Sequence, residues 1–407
     1  MSLKSNGENI MSILDTLRAI KHHTKLPQTA KEAKKRDTLR VDDTADIDEK
    51  LALDAVFSWL LKAQSDNKLN DNGYARDYSF INGWASSYPE TTGYIIPTLI
   101  EASQLFQRPD LNESALKALD WLVSIQLDDG AFQGGKIDST PVVPVTFNTG
   151  QILLGLAAGL KAYGDKYSEA THKAAQWLCD SLDDDGCWRK FPTPFAANGE
   201  KAYETHVAWG LMEAAKSTGN KVYLEYALKN VDWALTKQQP NGWFADCCLE
   251  EPEAPLTHTI GYVLRGVVEA YIHSKEDKYY QAALITAKPL ASLLIENSFL
   301  PGRLNNEWHG TVDWSCLTGS AQIASSLLLL NEISSNPDFV KAALKAITFV
   351  RKTIKIDEGK NYSGGVQGSY PVQGGYGRYQ QLNWAAKFYV DAQLSAMRLC
   401  QKSSLRP

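Results

Sequence analysis

Residues 121 to 132 read "WLVSIQLDDGAF": a Trp-Leu at the end of an amphipathic stretch, a polar turn closing on Asp-Gly, then an aromatic ring. An Asp-Gly turn after an amphipathic run is how a helix stops and the chain reverses. The phrase recurs outward in both directions, as "WLCDSLDDDGCW" at 177 to 188, "WALTKQQPNGWF" at 233 to 244 and "SWLLKAQSDNKLNDNGYA" at 58 to 75. Two degenerate copies follow, "ITAKPLASLLIENSFLPGR" from 285 and "AITFVRKTIKIDEGKNYSGG" from 346. The interval is roughly 55 to 60 residues, the length of one helical pair.

Between these copies lie segments that are apolar nearly all round: "ETTGYIIPTLIEA" from 90, "FNTGQILLGLAAG" from 147, "YETHVAWGLMEAA" from 203, "HTIGYVLRGVVEA" from 258, "LTGSAQIASSLLLL" from 317 and "QLNWAAKFYVDA" from 381. A helix apolar on every face is buried, whereas the Trp-bearing helices carry charge on one face and belong outside. Six outer helices alternating with six inner ones predict an all-α double ring, an (α/α)6 toroid. Gly93, Gly150, Gly261 and Gly319, near the inner starts, suit close approach of neighbouring backbones. The expected division is a polar helical extension and linker over 1–45, packed on the rim or mobile, and a toroid catalytic domain over 46–407.

The Trp-Leu, Gln, Asp-Gly, aromatic phrase resembles the glutamine-tryptophan repeat of the terpenoid cyclase and protein prenyltransferase toroids. The resemblance spans most of residues 50 to 395 as architecture and implies the fold. Terpenoid chemistry finds less support. A cyclase that starts by protonation needs an inward acidic motif, and "DIDE" at 46 to 49 and "DDDG" at 183 to 186 both fall on outer or turn segments. The prenyltransferase zinc pattern fails as well: Asp313 and Cys316 are spaced one residue too far apart, and no histidine follows.

Composition narrows the function classes. The 407-residue chain is 44% hydrophobic and 22% charged, with no apolar run approaching the roughly 18 to 20 residues of a membrane span. A net charge of −5 argues against a nucleic-acid footprint, and the basic cluster Lys31, Lys34, Lys35 and Arg36 is interrupted by Glu32 and Asp37. Six cysteines without a Cys-x-x-Cys pair are expected to be reduced. The first residues, "MSLKSNGENIMSILDTLRAIKHH", hold no continuous apolar core of a signal peptide, so a cytoplasmic location is expected. No oligomeric state is assigned.

In a toroid the inner helices run the same way, so their starts surround one mouth and their positive dipole ends converge there. Lining up the starts gathers Tyr88, Glu90, Tyr94, Asn148, Gln151, Tyr203, Glu204, His206, Trp209, His258, Tyr262, Trp314, Gln322, Asn383 and Trp384. Arg76, Trp84, Arg303 and Trp308 join them as further ligand contacts. Flat rings beside donors and acceptors suit a sugar, which presents C–H faces and a belt of hydroxyls. The resulting expectation is a carbohydrate-active enzyme on an intracellular saccharide or glycan precursor, with a toroid resembling other (α/α)6 carbohydrate-active enzymes.

Its acid/base residues are expected among Tyr88, Glu90, Tyr203, Glu204, His206 and His258. His206 and His258 could exchange protons at a ring carbon, as in an epimerase. Glu90 and Glu204 would suit glycoside cleavage if their carboxyls lie roughly 5 to 10 Å apart, although either, or Thr91 beside Glu90, could merely cap its helix. Tyr88 or Tyr203 with a histidine would suit a lyase, with Asn148, Arg76 or Arg303 neutralising a carboxylate. A metal set of His206, His258 and Cys316 is conceivable, but no metal and no cofactor is assigned. The alternatives are a non-catalytic glycan-binding or biosynthesis accessory protein, and a terpenoid cyclase or prenyltransferase-like enzyme.

Overall fold

A computed structural model describes residues 25–38, 41, 44–197 and 199–404. The leader segment read above for a signal peptide lies outside the described residues. After a short helix α1 (Gln28–Arg36), the chain alternates outer and inner helices. The outer set is α2 (Glu49–Ser65), α4 (Pro109–Ser124), α6 (Ser168–Ser181), α8 (Lys221–Leu235), α10 (Asp277–Asn297) and α12 (Pro337–Thr353). The inner set is α3 (Pro89–Phe106), α5 (Thr146–Tyr163), α7 (Thr205–Thr218), α9 (Thr257–Ser274), α11 (Leu317–Ile333) and α13 (Asn383–Ser404). Each inner helix packs on the next, and α13 packs back on α3, so the ring closes. The chain is an (α/α)6 toroid.

Periodicity separates the two layers. Outer helix α12 buries Phe339, Ala342, Ala343, Ala346, Ile347 and Val350 at three- and four-residue spacing, whereas inner α11 buries nearly every residue from Leu317 to Leu330. Asp48 and Asn336 cap the outer helices α2 and α12 by accepting backbone N–H groups of their first turns. Among the inner starts, a Cβ on Gly93 would lie 2.4 Å from Ile152 Cα, so that contact admits only glycine.

The repeated phrase has a shared physical job. Gly130 has φ +96°, and a Cβ there would lie 2.5 Å from Lys173 O on outer helix α6. Gln126 Nε2 donates to Gly130 O at 3.0 Å and to Ala170 O of α6 at 3.0 Å. The turn is thus clamped to the following outer helix. Gln238 repeats the clamp on α10 through Ala282 O and Thr286 Oγ1, both at 2.9 Å. In the last copy Gly364, φ +85°, abuts Ala55 of α2 and carries the device across the seam between last and first repeats.

Among the described residues, five short strands interrupt the all-helical expectation. Strands β1 (Asp77–Ser79), β2 (Gly83–Trp84) and β5 (Gln380–Leu382) form one antiparallel sheet ordered β2-β1-β5, with Asp77 opposite Leu382 and Tyr78 opposite Gln381. Strands β3 (Ser315–Cys316) and β4 (Ser369–Tyr370) form the other. The β1–β5 ladder joins the first repeat to the last. Helix α1 rests beside it: Thr29 Oγ1 donates to Phe80 O at 2.5 Å, the Arg36 guanidinium lies 4.5 Å from the Tyr362 ring centroid, and Asp37 accepts the Val372 N–H at 2.7 Å. No helix among the described residues is long and apolar enough to cross a membrane.

Candidate active site

The stretch "SSYPETTGY" starts the first inner helix. Tyr88 is its extended N-cap residue and Pro89 fixes the first helical position. Neither Glu90 nor Thr91 supplies the cap. Instead Thr92 Oγ1 donates to Tyr88 O at 2.9 Å and accepts the Tyr74 N–H at 3.0 Å. That leaves the Glu90 carboxyl free of a capping role, and it lines a cavity of about 680 Å³ at the starts of the inner helices. This volume lies inside the usual range for small-molecule sites.

Burial pushes the Glu90 carboxyl up to about 7, opposed by a hydrogen bond from Tyr88 and by the charge of Arg76. At neutral pH it is therefore protonated in a large share of molecules and able to give a proton. Arg76 comes from the turn ahead of β1. Its Nη1 donates to Asp77 Oδ2 at 2.7 Å, and its guanidinium carbon lies 5.3 Å from the Trp384 ring and 5.9 Å from the Tyr88 ring.

The opposite wall is aromatic. Phe147 meets Tyr203 and Tyr262 edge-on, with centroids 5.5 Å and 5.2 Å away. Tyr262 packs 4.4 Å from the ring of His258, and Tyr376 lies 5.2 Å from the same ring. Trp384 Nε1 donates to the Tyr376 hydroxyl at 2.9 Å. His258 Nδ1 is 2.8 Å from Gln322 Oε1; because an amide oxygen only accepts, Nδ1 carries the proton and Nε2 is left as an acceptor. Burial lowers this imidazole to about 4, so it is neutral at physiological pH. The Tyr203 hydroxyl and Trp84 Nε1, also in the cavity wall, have no hydrogen-bond partner among the described residues. Both atoms are themselves shielded from solvent.

Of the residues singled out above, Tyr88, Glu90, Tyr203, His258, Arg76, Trp84, Tyr94, Tyr262 and Trp384 share this cavity. The others do not line it. Glu204 ends a single 3-10 turn, Ala202–Glu204, and is buried without lining the cavity. Glu90 and Glu204 therefore do not face one another across the cavity. Burial pushes Glu204 up to about 8, with Lys201 opposing.

His206 is 0% exposed, with Tyr262 4.4 Å and Trp209 5.0 Å from its ring and Nδ1 2.6 Å from Gln151 Oε1. It pairs with Gln151 as His258 pairs with Gln322, but lies outside the cavity lining. Asn148 is buried in the ring, and Trp209 carries the Arg265 guanidinium 4.0 Å from its centroid. Asn383 Nδ2 donates to Ala75 O at 2.8 Å, holding the seam. Arg303 donates to Ala254 O and pairs with Glu251, Trp308 Nε1 donates to Asn241 O, and Trp314 is packed against Gly302 and Gly374. Cys316 accepts the Gly319 N–H, and among the described residues it is not gathered with His206 and His258 within reach of one metal ion.

The cavity also has lining residues that the helix starts do not predict: Lys68, Lys136, Phe195, Leu249, Tyr376 and Gln380. All but Gln380, on β5, sit on loops. The glycine-rich "GGYGRY" around Tyr376 is a turn signal, but nothing in it says which way the tyrosine faces.

No family model and no curated protein matches the chain. Solved structures do. An unsaturated glucuronyl hydrolase specific for heparin superposes with a TM-score of 0.69 at 15% identity, over 87% of this chain and 98% of that one. Cellobiose 2-epimerase from Bacillus thermoamylovorans gives 0.66 at 12% identity, over 85% and 98%. An α-mannanase from Bacteroides thetaiotaomicron gives 0.64 at 13% identity, over 88% and 98%. At these identities the likeness establishes the toroid and leaves the chemistry to the site.

Proposed function

We propose that this protein is a carbohydrate-active enzyme that uses acid/base chemistry on a saccharide held at the inner-helix starts. The observation that carries this reading is Glu90, a carboxyl raised to about 7 by burial, in the wall of an aromatic cavity beside the Tyr88 hydroxyl. Tyr262, Trp384 and Phe147 offer faces to sugar C–H groups. Glu90 acts as proton donor and neutral His258 as acceptor, two groups whose environments drive their titrations to opposite sides of an acidic window. The named activities of the structural neighbours, a glucuronyl hydrolase and a cellobiose 2-epimerase, fit this pairing of saccharide and proton transfer. A cavity for a prenyl or triterpene chain would be more uniformly apolar. Six free cysteines, five of them buried, fit the cytoplasmic location we propose.

The test is proton NMR in D₂O with a panel of uronate-containing and N-acetylated oligosaccharides. Deuterium entering a ring position reports epimerisation, a vinyl signal elimination, and a new anomeric signal hydrolysis. With a substrate found, kcat/KM is expected to rise through about pH 4 as His258 loses its proton and to fall through about pH 7 as Glu90 ionises. Glu90→Gln is expected to lower kcat by about 10²- to 10⁴-fold while ligand binding stays within a few-fold. Full activity in Glu90→Gln removes Glu90 as the donor. Binding without turnover at any pH makes the protein a glycan-binding protein, a role the same aromatic wall would serve.

A further inference from the structure

The charges around the cavity contrast with those of the chain. The whole sequence carries a formal net charge of −5. The cavity wall instead holds three cations, Arg76, Lys68 and Lys136, against two carboxyls, Asp77 and Glu90. Glu90, raised to about 7 by burial, carries only part of a charge at pH 7, and Asp77 is already bound to Arg76. Lys136 has a loose partner, Asp138 at 3.9 Å, and the same carboxylate acts electrostatically on Lys68, which makes no direct ion pair among the described residues. A cleft lined by excess positive charge concentrates anionic ligands, even on an acidic protein.

Arg76 gives this field a specific geometry. A guanidinium has five N–H donors in a planar fork. One of its nitrogens, Nη1, is occupied by Asp77, which holds the plane, and 34% of the side chain is exposed where it lines the cavity. The rings of Trp384 and Tyr88 flank it. A planar fork fixed at one edge and open at another is suited to bidentate capture of a carboxylate or sulfate. Its position matters as much as its charge, because Arg76 acts electrostatically on both Glu90 and Tyr88.

We propose that the saccharide is acidic and that Arg76 binds a carboxylate carried by the reacting ring itself, with Lys68 and Lys136 drawing the anion toward the cavity. The inference rests on the saccharide reading above and narrows it. An anionic group on a remote ring would not need a fork beside the proton donor. A carboxylate on the reacting ring is held in one orientation relative to the Glu90 carboxyl.

The experiment uses matched probes: glucuronyl and galacturonyl disaccharides, and the same disaccharides with the carboxyl reduced to the alcohol. Affinity is measured by NMR line broadening at low and moderate salt, and turnover by the D₂O assay. Wild type is expected to prefer at least one acid over its reduced counterpart by tenfold or more. Arg76→Gln, with Arg76→Lys beside it to keep charge but lose the fork, is expected to erase that preference by weakening the acid alone. Because the Arg76 variants could disturb the Asp77 contact, the exposed rim is tested separately. Lys68→Glu with Lys136→Glu is expected to weaken acid binding several-fold and to flatten its salt dependence.

Equal binding of acid and reduced probes, or equal weakening of both by Arg76→Gln, overturns the proposal. Turnover of the reduced probes, with acids ignored, overturns it while leaving the acid/base reading intact. Selective acid binding without any turnover does the reverse. Binding of neither class overturns both.

Discussion

Glu204 sits buried at the start of α7, its Oε2 has no hydrogen-bond partner among the described residues, and burial raises its carboxyl from 4.5 to about 8. Between those values the folded chain holds a proton that the unfolded chain has released. Its contribution to stability is therefore full below about pH 4.5 and is lost as pH rises through about 8, with a slope of at most about 1.4 kcal/mol per pH unit. Glu90 adds the same sign of dependence through about 7. Glu204→Gln removes one of these protons, so Tm in the variant is expected to fall less than in wild type between pH 6 and pH 9. Parallel melting curves across that range would mean that Glu204 ionises freely in the folded protein. Its neighbour Tyr203 illustrates how little sequence says about such a role. The two residues are adjacent in the same 3-10 turn and both are buried, yet only Tyr203 lines the cavity. His206 and His258 make the same point. Each is the second residue of its helix and each bonds a glutamine on a neighbouring inner helix, but the surrounding rings leave only His258 in the cavity wall.

The repeated Gln and Gly of the outer-helix phrase were legible because they do one job wherever they recur, and repetition is visible in a sequence. Gln126 joins its own turn to helix α6 through two backbone carbonyls. Gln126→Ala is expected to cost about 1 to 2 kcal/mol, since both acceptors are partly buried and lose their donor. Gln176, exposed on α6 with only an i,i+4 bond to Asp180, is the control, and Gln176→Ala should stay within about 0.5 kcal/mol. Denaturant unfolding of the two variants decides: equal, small losses would make the clamp incidental. The helix starts were equally readable, because the switch from polar turn to all-round apolar run marks them. Tyr376, Lys68 and Lys136 were not, since they lie on irregular loops whose course is fixed by contacts across the ring. The β1–β5 ladder was invisible for the same reason: its strands are three residues each and more than three hundred apart in the chain.

The seam between first and last repeats is what turns a stack of helical pairs into a ring. An open array frays from its ends, because each repeat is stabilised only by its neighbours. Here the ends are fastened to one another. Arg351 on α12 donates to Asp46 at 2.9 Å and 2.6 Å, to Glu49 at 3.0 Å and to Gln393 at 3.1 Å. On the inner layer Thr98 Oγ1 donates to Asp391 at 2.6 Å, and Lys387 pairs with the same carboxylate at 2.6 Å. Arg351 is itself buried, but its acidic partners are partly exposed, so Arg351→Ala should cost about 1 to 3 kcal/mol rather than the larger penalty of breaking a fully buried pair. The loss should be local. In wild type, hydrogen exchange of α2 and α12 is expected to follow the same global opening as α6 and α8; in Arg351→Ala, α2, α12 and α13 should exchange faster while α6 and α8 keep their protection. A uniform loss of protection, or none, would show that the ring closes without this clasp. The cavity ties the outcome to function, because Arg76, Trp84, Tyr376 and Trp384 come from the seam side while Phe147, Tyr203 and His258 come from the middle repeats. Loosening the seam would move Arg76 away from His258 without unfolding either, so ligand binding in Arg351→Ala is expected to fail on warming several degrees before the helices melt.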